Sequence, residues 1–92
     1  MKIYKIRAWV NQNKKGRNEH PHYFETVVID NLETAKRLFG EQKSEVRTWE
    51  GLKNVHSVKV DLFIPEIHKD GTLAYYPTTK DGLILTYNPN NL

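Results

Sequence analysis

Ninety-two residues with 14 Lys and Arg against 11 Asp and Glu, a net charge of +3 and no cysteine leave room for one hydrophobic core and exclude a second domain. The absence of thiols excludes a disulfide scaffold and thiolate zinc sites, and it fits a reducing compartment. The charge is uneven: residues 1–22 carry +5 and the other seventy carry −2, which describes a local basic patch rather than a basic protein.

In residues 2–10, Tyr4, Ile6, Ala8 and Val10 alternate with Lys5, Arg7 and Trp9. That period of two predicts a strand with one buried face. The opening Met-Lys-Ile-Tyr-Lys-Ile-Arg also places charges where a signal peptide needs an unbroken apolar stretch. No apolar run approaches the roughly 20 residues that a membrane span requires. A cytoplasmic protein with no membrane partner is expected.

Residues 11–22, "NQNKKGRNEHPH", have no apolar period and read as a loop. Residues 23–29, "YFETVVI", are β-branched and aromatic and read as a second strand, antiparallel to the first. The loop is longer than most hairpin connections, and such length often accompanies function or disorder.

"DNLETAKRLF" predicts a helix, with Asp30 as its cap and Glu33 completing a capping box. Leu32, Ala35, Leu38 and Phe39 supply the apolar stripe, and Gly40 is a natural terminator. The spacing 32, 35, 39, 42, 46, 49 nevertheless runs on past Gly40. The preferred reading is a helix to Gly40 and a second short helix over 44–53, with a strand at 45–49 as the alternative.

From His56 to Ile64 the alternation returns, with Val58, Val60, Leu62 and Ile64 facing inward and Ser57, Lys59 and Asp61 on the other side. Phe63 interrupts the polar side, so that face is expected to be partly covered. Pro65 limits further ladder pairing. The last third contains Lys-Asp-Gly twice, at 69–71 and 80–82, each followed by an aliphatic residue (Leu73, Ile84) and a tyrosine (Tyr76, Tyr87) at matching offsets. One glycine per copy cannot build a phosphate nest, and one Asp per copy cannot build a calcium loop. Asp-Gly between extended segments instead signals two hairpin turns joining strands at 72–76 and 83–87. The expected fold is α+β: an antiparallel sheet with one or two helices on one face, in the order β-β-α-(α)-β-β-β.

Candidate chemistry is sparse. His20 and His22, near Glu19 and Glu25, could supply part of a zinc site, but Pro21 separates them and no spacing fixes further ligands. A nuclease-like set of His20, Arg17 and Glu25 has no spacing to argue for it. No catalytic residue, cofactor or metal is assigned. What remains is the N-terminal patch. Lys5, Arg7 and Trp9 share the outward face of the first strand, and Lys14, Lys15 and Arg17 extend it through the loop. Cations beside an exposed indole suit an acidic protein surface or a nucleic acid strand. The competing reading is a solvated strand face whose Lys and Arg stems cover Trp9. Tyr23, Tyr75, Tyr76 and Tyr87 are candidate interface aromatics. An unpaired edge among the last three strands would support a sheet-extended homodimer.

"KIYKIRAWV", a polar loop, "FETVVI" and then "DNLETAKRLF" together resemble the layout of small phage and mobile-element accessory proteins, including some anti-CRISPR inhibitors. The resemblance covers the first half of the chain and rests on pattern, so no binding residue is carried over from it. It implies a non-catalytic protein that blocks or redirects a host protein or protein complex by binding it. Direct nucleic acid binding through the same patch is the alternative.

Overall fold

The computed structural model describes residues 1–11, 22–53 and 55–89. Its elements are β1 (Ile3–Asn11), β2 (His22–Ile29), α1 (Leu32–Arg47), β3 (Ser57–Phe63), a short 3-10 turn (Lys80–Gly82) and β4 (Leu83–Tyr87). The four strands form one antiparallel sheet in the order β2-β1-β3-β4. With a single α-helix among the described residues, this is an α+β fold of order β-β-α-β-β.

The period-two residues of β1 and β3 build the core. Tyr4, Ile6, Ala8, Val10, Val58, Val60 and Leu62 are buried on the sheet face that meets Ala35, Phe39 and Val46 of α1. Phe24, Val28, Leu32, Leu38, Trp49, Val55, Ile84 and Tyr87 pack around that centre. The helix lies over β1 and β3, the two central strands, and less over β2.

Four expectations are corrected here. There is one helix rather than two, and it runs through Gly40 to Arg47, which also removes the strand alternative at 45–49. The stripe that continues through Val46 and Trp49 keeps burying apolar surface, and this outweighs the roughly 1 kcal/mol that a mid-helix glycine costs. The helix ends instead at Thr48, whose N–H donates to Glu45 O and Val46 O and whose hydroxyl donates to Glu45 O at 2.7 Å.

The cap is Asn31 rather than Asp30. Asn31 Oδ1 accepts from Thr34 N at 3.0 Å, whereas Asp30 sits at φ 55° and ties the chain back to β1. Its N–H donates to Lys2 O at 2.8 Å, and its Oδ1 accepts from Lys2 N at 2.6 Å. Asp is one of the few residues that tolerates this left-handed conformation.

Residues 72–76 form no strand, and the two Lys-Asp-Gly copies fold differently. The first closes a narrow finger. His68 N donates to Thr72 O, Ala74 N donates to Glu66 O, and Ile67 and Leu73 form an isolated bridge. Gly71, at φ 87°, supplies the left-handed residue that this turn needs. The second copy is the 3-10 turn, capped by Thr79, whose Oγ1 accepts from Gly82 N at 3.2 Å. Finally, Ile64 is exposed rather than core. β3 ends one residue earlier, and Ile64 N leaves the ladder to bond Gly82 O at 2.8 Å.

Candidate interaction surface

The sheet face opposite α1 is the one on which Lys5, Arg7 and Trp9 were expected to form an open basic patch. They do lie on that face, but Lys5 is only 3% exposed and Arg7 only 7%. The segment after β3 returns across them. Lys5 Nζ donates to Ala74 O at 3.2 Å, and Arg7 Nη1 donates to Tyr75 O at 2.7 Å. From β2, Glu25 bridges the two cations, with Oε1 2.7 Å from Lys5 Nζ and Oε2 3.8 Å from Arg7 Nε. Burying a cation carries a penalty of several kcal/mol unless a counter-charge and hydrogen bonds offset it. Here Glu25 and two backbone carbonyls offset part of it, while Arg7 Nε is buried without a hydrogen bond. Lys5 and Arg7 are therefore pinning groups for the 64–76 segment, and the reading of them as an accessible contact patch is withdrawn.

The register makes this arrangement part of a polar row across the whole sheet. Glu25 faces Arg7, Arg7 faces Asp61, and Asp61 faces Thr86 on β4. Asp61 is buried. Its Oδ1 accepts from Thr86 Oγ1 at 2.6 Å, and its Oδ2 lies 3.5 Å from Lys59 Nζ without forming a hydrogen bond. Phe63, fully buried on the same face, explains why the polar side of β3 is interrupted.

Over this row the aromatics assemble. The rings of Trp9 and Tyr76 are stacked, with centroids 5.9 Å apart and planes 7° from parallel. The Arg7 guanidinium lies 4.6 Å from the Trp9 ring, 5.0 Å from Tyr76 and 5.3 Å from Tyr75, and Lys5 Nζ lies 5.0 Å from Tyr75. Such cation–π contacts hold the rings in place. Trp9 itself is half-buried, while Tyr75 remains 64% exposed and Tyr76 58%. Tyr23, directly across from Trp9 in the ladder, is 56% exposed. A cleft of about 220 Å³ opens beside the stack, lined by Trp9, Asn11, Lys59 and Tyr76.

Of the residues proposed from sequence, Trp9, Tyr23, Tyr75 and Tyr76 thus come together. Tyr87 does not. It packs on the helix side against the core, and its hydroxyl donates to Glu50. That bond raises the phenol pKa above its ordinary value. Lys14, Lys15, Arg17 and His20 lie outside the described residues, as does the side chain of His22. Among the described residues, no three His, Cys, Asp or Glu side chains converge as metal ligands would.

Sequence reasoning missed Lys59, whose Nζ lies 5.6 Å from the Trp9 ring, and the exposed Val27 and Ile29 of β2. Parity held the signal for both. Lys59 pairs with Trp9, and Val27 with Lys5, but only once the register is known. No family model, no curated protein and no solved structure matches this chain. No helix among the described residues is long and apolar enough to cross a membrane.

Proposed function

We propose that this is a small non-catalytic binding protein of the cytoplasm that acts by contact with a host protein or protein complex. Its contact surface is the aromatic face of Tyr23, Trp9, Tyr76 and Tyr75. One observation carries the reading: the Trp9–Tyr76 stack is more than decoration, because the chain that presents it is fastened by Arg7 to the Tyr75 carbonyl at 2.7 Å. Exposed aromatics held rigid before binding lose little entropy on docking, and such residues dominate interface energies. The resemblance of the first half to phage and mobile-element accessory proteins fits the same role, blocking a host machine without chemistry.

Nucleic acid binding is the second reading, favoured by Lys59 beside the stacked indole, a cation next to a base-stacking platform. It is weakened because Lys5 and Arg7 are buried and share Glu25 as counter-charge and so are not presented to phosphates. A Tyr23→Ala/Tyr76→Ala double variant tests the proposal. Capture of a defined host target by the wild type should be lost while the circular dichroism spectrum is unchanged. Undiminished capture by the double variant would remove this face as the interface. A salt-sensitive shift of DNA or RNA by the wild type, abolished in the same variant, would favour the second reading instead.

A further inference from the structure

We infer that the free edge of β2 pairs with the same edge of a second copy, joining two four-stranded sheets across a two-fold axis at Thr26. Among the described residues the sheet has two edges, β2 and β4. β4 is five residues long, preceded by Lys80 and Asp81 and followed by Asn88-Pro89, the short and punctuated kind of edge that resists strand addition. β2 has eight residues, HYFETVVI, with no Lys, Arg or Pro. Its one acidic group, Glu25, is held inward by Lys5 and Arg7. A long β-branched edge without such guards is a template for another strand. This edge belongs to the N-terminal half, not to the last strands, where the sequence had pointed.

The hydrogen-bond phase selects the partner. Asp30 N donates to Lys2 O, and the β1–β2 register is uninterrupted from Ile3↔Ile29 to Val10↔His22. By alternation, Val28, Thr26 and Phe24 direct their backbone groups toward β1. Tyr23, Glu25, Val27 and Ile29 therefore direct theirs outward to the free edge, and the exposed side chains of Tyr23, Val27 and Ile29 stand on the face opposite the helix.

Every two-fold register centred on a β2 residue preserves these faces, and the three centred on Glu25, Thr26 and Val27 pair most of the strand. Centring on Glu25 sets two carboxylates directly opposite each other, which is repulsive. Centring on Val27 leaves Tyr23 unpaired within β2. Centring on Thr26 pairs Tyr23 with Ile29 and Glu25 with Val27, twice each, so that every outward residue is matched. It also pairs Phe24 with Val28 on the helix side, and no like charges meet. An aromatic opposite a β-branched residue is a favourable cross-strand pair. The edge is thus self-complementary, as an isologous interface must be, and this selects a second copy over a foreign strand. The inference does not depend on the aromatic-face proposal.

The chain's lack of cysteine makes the test specific. In the proposed register the two Thr26 residues form a non-hydrogen-bonded pair with Cα atoms about 4.5 Å apart, within disulfide reach. Under mild oxidation Thr26→Cys should form a covalent dimer many-fold faster than Val27→Cys, whose cysteines would lie off-axis. Light scattering of the wild type should give twice the chain mass at high concentration, falling to one chain for Val27→Glu, which sets like charges opposite each other at both Glu25–Val27 pairs. A wild type that stays at one chain mass would overturn the inference, including the case in which a strand from a different protein fills the edge. So would equal cross-linking rates for the two cysteine variants, or a dimer untouched by Val27→Glu.

Discussion

Arg7 on β1 donates a 2.7 Å hydrogen bond to the backbone carbonyl of Tyr75, 68 residues further along the chain. That bond turns an apparent surface cation into the fastener of the segment that returns across Lys5 and Arg7. Replacing Arg7 with Ala should therefore destabilise the fold by about 2–4 kcal/mol, as expected for losing a buried charged hydrogen-bond partner. Urea unfolding measures it. Arg7→Ala should also free Tyr76 from Trp9, changing Trp9 fluorescence in a Trp49→Phe background. A loss below about 0.5 kcal/mol, the range of ordinary surface substitutions, would show that Arg7 is not a fastener.

Tyr76→Ala separates holding from presenting. Its ring is more than half exposed and its main structural contacts are the stack on Trp9 and the Arg7 guanidinium, so unfolding should shift by about 1 kcal/mol or less. Binding to a protein target should fall by at least tenfold, since an interface aromatic commonly contributes 2 kcal/mol or more. Comparing Kd with the unfolding midpoint checks both halves. A stability loss as large as that of Arg7→Ala would make Tyr76 a structural residue instead.

The first strand, the helix start near residue 31 and β3 were legible because each has a clear period of two or 3.6 and buries one face, and the second strand because it is β-branched and aromatic. The expected alternation also placed Tyr4, Ile6, Ala8 and Val10 correctly in the core. What was not legible depended on long-range partners. Nothing local in "KIYKIRAWV" signals that Lys5 and Arg7 will be covered, because the covering atoms are backbone carbonyls of Ala74 and Tyr75 and carry no side-chain signature. The repeated Lys-Asp-Gly misled for a related reason. The same tripeptide takes a left-handed Gly71 in one context and a 3-10 turn in the other, decided by Thr79 and Ile64 rather than by the tripeptide. Phe63 was the one local hint that the second face is covered.

Three glycines give a graded test of the backbone. Gly40 lies mid-helix with open space where a Cβ would go, so Gly40→Ala should stabilise by roughly 1 kcal/mol. Gly71 sits at φ 87°, and Gly71→Ala should destabilise by about 1–2 kcal/mol through left-handed strain. At Gly82 a Cβ would come 3.1 Å from Ile64 O, which predicts a loss of about 1 kcal/mol from crowding. Thermal unfolding of the three variants should give this order of signs. A destabilising Gly40→Ala would mean that the helix does not run continuously through residue 40.

The finger that carries Tyr75 and Tyr76 should loosen in acid. The Asp70 carboxylate accepts from Thr72 Oγ1 at 2.6 Å and from Thr72 N at 3.0 Å. These two bonds, the side-chain one first, hold its pKa below the ordinary carboxylate value. A pKa lowered by folding means that the ionised form contributes stability above the unfolded value, and that this contribution is lost as pH falls through the folded one. The amide resonances of Gly71 and Thr72 should accordingly titrate with a midpoint below 3.8, the unperturbed carboxyl value. Asp70→Ala should abolish that titration and leave the finger equally loose at neutral pH and in acid. A Gly71 titration unchanged by Asp70→Ala would assign the acid response to some other carboxylate.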